Sequence, residues 1–149
     1  LRYIALIKLF LIAISWAVVT VIIPLVQHSI NLGFNEIVIT VQRFLFVVSI
    51  TIPFDIRDMS YDTKNLKTLP QTIGISKSKV FGLVFLMLFL GLEFIKTPIY
   101  TEQLQIHFFI SVLALFFLLK STENQNEYYS AFFVESLPII WLGLFLWLL

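Results

Sequence analysis

Asp55, Asp58 and Asp62 fall at offsets of 0, 3 and 7 in the stretch Pro53-Phe-Asp-Ile-Arg-Asp-Met-Ser-Tyr-Asp62. On a helix those offsets place all three on one face, within about 60° of one another. Like charges held that closely repel and destabilise the helix that carries them. A divalent cation is the simplest partner that makes the trio favourable, and Mg²⁺ takes one or two carboxylates while completing its shell with water and phosphate oxygens. Lys64 and Lys67 follow within a few residues. Acids that grip a metal beside lysines that meet phosphate charge form a mixed-sign site. The alternative is a solvated loop with ordinary charges; the single-face spacing at a helix end favours a metal–phosphate site.

The elements that carry this site must lie in a membrane. Of 149 residues, 59% are hydrophobic and 13% charged, with a mean hydropathy of +0.96. A water-exposed surface on a domain of this size needs more charge than that, so the lipid bilayer is the solvent. The chain has no cysteine, which excludes disulfides and thiolate metal sites. It opens on Leu1 and closes in an apolar run at Leu149. The expectation is a single transmembrane domain over 1–149 that is the C-terminal part of a longer protein.

Five apolar segments stand out, at roughly Ile4–Val26, Glu36–Phe54, Val80–Ile95, Leu104–Leu119 and Ala131–Leu149. Spanning helices need about 17–25 residues, which the first, second and fifth supply outright. The third and fourth reach that length if Ser78, Lys79, Lys96 and Gln103 lie at the headgroups, where long side chains snorkel. Continuous rather than alternating apolar runs exclude barrel strands. The fold class expected is an all-α, multi-pass transmembrane bundle of five helices.

Lysine and arginine set the orientation. The loop 55–79, the start of the first segment and the link before the fifth hold eight of the ten basic residues, whereas Lys96 stands alone on the other side and Arg43 lies within a span. The aspartate loop and the N-terminal end are therefore expected in the cytoplasm, the chain in a cell (inner) membrane. Pro53 is expected to bend the second helix and tilt the aspartates toward the bundle interior.

The run Asp55-Ile-Arg-Asp58-Met-Ser-Tyr-Asp62, with Leu66-Lys-Thr-Leu-Pro70 and Ile73-Gly74 behind it, resembles the second aspartate-rich motif of the UbiA-type intramembrane prenyltransferases. The first segment, Leu9-Phe-Leu-Ile-Ala-Ile-Ser-Trp16-Ala-Val-Val-Thr20, is similar to a helix in the middle of such proteins. The resemblance implies about half of a nine-helix bundle around a central cavity, in which two aspartate motifs meet over Mg²⁺ and a prenyl diphosphate. The family's first aspartate motif is not in these residues, so the site would be completed by N-terminal helices of the same protein, and the fragment alone is expected to be inactive.

By that resemblance Asp58 and Asp62 are the catalytic metal ligands and Asp55 a third ligand or second acceptor. Arg57 and Lys67, with Lys64 as a lesser candidate, would hold the diphosphate. The partners implied are a polyprenyl diphosphate, an aromatic or other lipophilic acceptor and the bilayer; nucleic acid is not among them. The metal would stabilise the departing diphosphate while the site keeps water from the allylic cation. Two other classes compete: a cation- or proton-coupled transporter, and an inactive membrane scaffold.

Among the remaining polar residues, Arg43 inside a span costs about 2.5–3.5 kcal/mol on insertion scales unless it faces a cavity or pairs. Glu36 and Glu93 are its candidate partners. Glu93 and Glu135 are expected to pair or snorkel, His28 and His107 to lack a ligand partner, and Trp16, Trp141 and Trp147 to pack or anchor at interfaces.

Overall fold

A computed structural model describes residues 4–59, 68–126 and 128–148. The first apolar segment forms one rod in three parts: α1 (Ile4–Ala17), a π-helical turn (Val18–Ile22) and α2 (Ile23–Gln27). The wide turn has a cause in sequence. Pro24 has no N–H for the Thr20 carbonyl and its ring crowds that carbonyl; a turn widened to i→i+5 accommodates both. The device recurs before α7 (Ser136–Leu148), where the π turn Tyr129–Val134 ends four residues ahead of Pro138.

Between them lie α3 (Phe34–Asp58), α4 (Leu69–Ile73), α5 (Ile75–Gly91) with a 3₁₀ turn at Leu92–Ile95, and α6 (Thr101–Lys120). α3 is the central element and packs against α1, α5 and α6. Ser49 Oγ donates to the Gly82 carbonyl at 3.1 Å and Gln42 Nε2 to the Phe89 carbonyl at 3.1 Å. As numbers fall along α3 they rise along α5, so the two run antiparallel. Leu9 and Ala13 of α1 join Ile52 and Ile56 of α3 and Leu118 of α6 in one core cluster. A second cluster sets Phe46, Phe89, Ile106 and Trp141 together.

Among the described residues four helical stretches are long and apolar enough to cross a membrane: Ile7–Gln27, Phe34–Asp58, Ile75–Ile95 and Thr101–Lys120. The all-α, multi-pass bundle expected from sequence is therefore present. The third and fourth segments reach full length because helix resumes immediately after Gly74 and at Thr101. The fifth is shorter, an apolar stretch at Phe132–Leu148, broken at Glu135 between the π turn and α7.

The basic residues sort by end. Lys8, Arg57, Lys77, Lys79 and Lys120 share the end where α1 begins and α3 finishes, with Lys79 Nζ 2.7 Å from the Leu119 carbonyl. Lys96 is at the opposite end, where Asn35 brackets Thr97, its Nδ2 2.7 Å from that residue's carbonyl.

α4 anchors the far half of the loop 55–79. The Thr68 N–H donates to Gln71 Oε1 at 3.3 Å, and Pro70 occupies the first turn, where its missing N–H costs nothing. Gly74, at φ +86°, ends α4 and opens α5, a backbone geometry that only glycine adopts freely. Leu69 is buried with Ile52 and Ile56, which pins this turn beside the end of α3.

Candidate metal–phosphate site

α3 carries Asp55, Arg57 and Asp58 in its last turn, all half-buried. The helix continues through Pro53 to Asp58, so the two carboxylates stand three residues apart on one face, as their spacing requires. Arg57 Nε lies 2.7 Å from Asp58 Oδ1 and its guanidinium carbon 5.6 Å from the Phe54 ring centroid. A helix C-terminus carries partial negative charge, so the acids there add to that field and Arg57 counters it.

Asp62, Lys64 and Lys67 lie outside the described residues, as does Tyr61. The structure thus brings together Asp55, Asp58 and Arg57 of the expected set. Among the described residues no three acidic or histidine groups gather at metal-binding distance. Gln125 fixes the neighbourhood from the other side: its Nε2 donates to the Pro53 carbonyl at 3.0 Å, tying the link after α6 to the acidic end of α3.

An apolar groove of about 680 Å³ runs along α3 between α1 and α7, with Ile12, Trp16, Val47, Thr51, Phe54 and Pro138 in its walls. Asp55 follows Thr51, and Asp58 follows Phe54, by four residues. Helical register therefore sets the acidic turn at one mouth of this groove.

A second constellation lies toward the opposite end. Glu93, with no exposed surface, has Oε2 2.7 Å from His107 Nδ1 and 2.9 Å from Gln42 Nε2, and Oε1 2.6 Å from Lys96 Nζ. Two hydrogen-bond partners on Oε2 and the Lys96 ion pair on Oε1 offset a charge that would otherwise be costly to bury. His107 serves here as a hydrogen-bond partner inside the bundle, and Glu93 takes the paired one of its two expected outcomes. One expectation is corrected: Lys96 is 5% exposed and turned inward rather than snorkelling outward. The signal was present in the sequence. Glu93 and His107 are equidistant from Tyr100, so an α5–α6 hairpin turning there sets them face to face.

Of the two outcomes expected for Arg43, a cavity or an ion pair, the structure has the first. Glu36 is spent capping α3, its Oε2 accepting the Gly33 N–H at 3.0 Å, and Glu93 is engaged as above. Arg43 instead lies over the Trp141 ring, its guanidinium carbon 3.9 Å from the centroid. Phe46 and Phe89 press on the same indole with centroids 4.9 and 5.6 Å away.

No family model matches the chain, and neither a curated protein nor a solved structure matches it.

Proposed function

We propose that this chain forms the metal- and diphosphate-binding end of a UbiA-type intramembrane prenyltransferase, acting on a polyprenyl diphosphate and a lipophilic acceptor at the cytoplasmic face of a cell membrane. The observation that carries the reading is the register of Asp55 and Asp58 with an apolar groove of about 680 Å³ on the same face of α3. A charged head and a long hydrocarbon tail need that pairing of surfaces.

Asp55 and Asp58, joined by Asp62, would hold Mg²⁺. Bound there, Mg²⁺ supplies positive charge to the diphosphate as its bond to the allylic carbon breaks. Arg57 would exchange Asp58 for diphosphate oxygens, assisted by Lys64 and Lys67, since a guanidinium pairs with either anion in the same planar fork. Val47, Ile50 and Phe54 would sheathe the tail and keep water from the carbon that loses the diphosphate. The acceptor forms the new bond at that carbon and gives up a proton. A first aspartate motif, supplied by further helices of the protein, would complete the site.

The test is Mg²⁺-dependent binding of farnesyl diphosphate to the chain in nanodiscs. Wild type should bind with Mg²⁺ and lose binding on chelation, and Asp58→Asn and Asp62→Asn should each weaken it at least tenfold. Binding by both variants that matches wild type, or binding indifferent to Mg²⁺, overturns the reading. The transporter reading draws on the buried Glu93–His107–Lys96 group, because ionisable clusters inside a bundle mark ion paths. It predicts proton flux in proteoliposomes that Glu93→Gln abolishes.

A further inference from the structure

Arg43 belongs to the half of the bundle away from the aspartates, about 22 Å from Asp58 by helix rise. Among the described residues it makes no ion pair. Its Nε is buried without a hydrogen bond, and so is Nε1 of Trp141, a residue only 5% exposed. Both line one cavity of about 390 Å³. An indole N–H and a guanidinium are donors only, so neither can satisfy the other.

The charges around this cavity do not cancel. Lys96 and Glu93 neutralise each other at 2.6 Å, and His107 directs Nδ1 at the same carboxylate. The Arg43 charge meets no acid among the described residues, and the Trp141 ring face offsets only part of it. Gln42 and Gln103 also line it, and the rest of the cavity wall is apolar, with Ile39, Leu142 and Phe145 among its residues. Ile39 is 37% and Leu142 59% exposed, so this wall opens toward lipid rather than only inward.

We propose that this cavity binds an anionic amphiphile drawn from the membrane, whose carboxylate or phosphate head meets Arg43 and the Trp141 N–H while its apolar body lies on Ile39, Leu142 and Phe145. The head is recognised by two buried donors without partners, Arg43 Nε and Trp141 Nε1, and by the guanidinium charge. The volume is within the range of about 300–1,000 Å³ usual for small-molecule sites. The separation from Asp58 puts the head far from any chemistry at the acidic turn, so the inference does not rest on the prenyl-transfer reading.

The experiment uses a chain in which Trp16→Phe and Trp147→Phe leave Trp141 as the reporter, held in phosphatidylcholine nanodiscs at pH 8. 12-Bromododecanoate, titrated by membrane mole fraction, should quench Trp141 saturably. The neutral 12-bromododecanol should need at least tenfold more, and Arg43→Gln should weaken the acid by a similar factor. Acetate and inorganic phosphate, added as competitors, should displace little, which separates a membrane-borne head from a free anion. Equal half-saturation for acid and alcohol overturns the proposal, as does an Arg43→Gln response within twofold of the parent. Displacement by acetate at equal concentration also overturns it, because the apolar body would then contribute nothing. If Arg43→Gln does not fold, the comparison of acid with alcohol on the parent chain still decides.

Discussion

Glu93 Oε2 accepts from both His107 Nδ1, at 2.7 Å, and Gln42 Nε2, at 2.9 Å, so one carboxylate joins α6 to α3 at the end of α5. Its other oxygen pairs with Lys96 at 2.6 Å. Removing one partner from such a group strands the other charge, which typically costs about 3–5 kcal/mol. Glu93→Gln should therefore lower the thermal midpoint strongly. Glu93→Gln combined with Lys96→Met should recover a substantial part, because no buried charge is left unpaired. Thermal unfolding of the two variants and their parent in one detergent gives the comparison; a double variant no better than the single one rejects the account.

Ser49 and Gly82 join α3 to α5 through a hydrogen bond from Ser49 Oγ to the Gly82 carbonyl at 3.1 Å. A Cβ on Gly82 would lie 2.7 Å from Leu118 Cδ2 and 3.0 Å from Ile52 Cδ1. Those atoms are side-chain tips, so one methyl can be accommodated by small rotations. Gly82→Ala should cost less than about 1.5 kcal/mol, whereas Gly82→Leu forces the helices apart and should cost about 1–3 kcal/mol or more. Unfolding midpoints in detergent that fall equally for the two substitutions would contradict this packing.

Arg57 separates stability from ligand binding. Its ion pair with Asp58 is half-exposed, and such pairs contribute about 0–1 kcal/mol. Arg57→Ala should leave the unfolding midpoint nearly unchanged yet weaken Mg²⁺-dependent farnesyl diphosphate binding roughly tenfold, the order expected for one lost charge-assisted contact. Isothermal titration reads the binding, and an unchanged affinity would remove Arg57 from the diphosphate site.

The parts of this fold visible in the sequence were those governed by local rules. Apolar run length marked the first two spans but ranked the fifth segment above the third and fourth, an order the structure reverses. The described basic residues outside the spans, Lys96 apart, sorted to one end as their positions along the chain suggest. Pro70 and Gly74 punctuated the loop, although the five-residue helix between them owes its place to the burial of Leu69. Asp55 and Asp58 share a face because α3 runs unbroken past Pro53. Long-range pairing was harder to see. Arg43 faces Trp141, 98 positions away in sequence, and no periodicity links them. His107 looked solitary because its partner lies across a hairpin rather than one helical turn away. Pro138 concealed the split of the last segment, since composition there stays apolar while the backbone changes from π turn to α7.

The groove beside α3 gives the last test, because it separates recognition of a tail from recognition of a head. Thr51 stands on its wall four residues before Asp55, close enough to the acidic turn to intercept a chain leaving it, about 6 Å by helix rise. Thr51→Trp would fill part of the roughly 680 Å³ void with an indole, and overfilling a preformed apolar site excludes its occupant. Its hydroxyl now bonds only within α3, to the Val47 carbonyl at 2.6 Å, so losing it breaks no contact with another helix. The variant should bind inorganic diphosphate with Mg²⁺ as the parent does and lose affinity for farnesyl diphosphate at least tenfold. Equal losses for both ligands would mean that the substitution disturbs the acidic turn itself. Unchanged binding of the farnesyl compound would mean that its tail runs elsewhere, and that the register of groove and aspartates has no bearing on substrate.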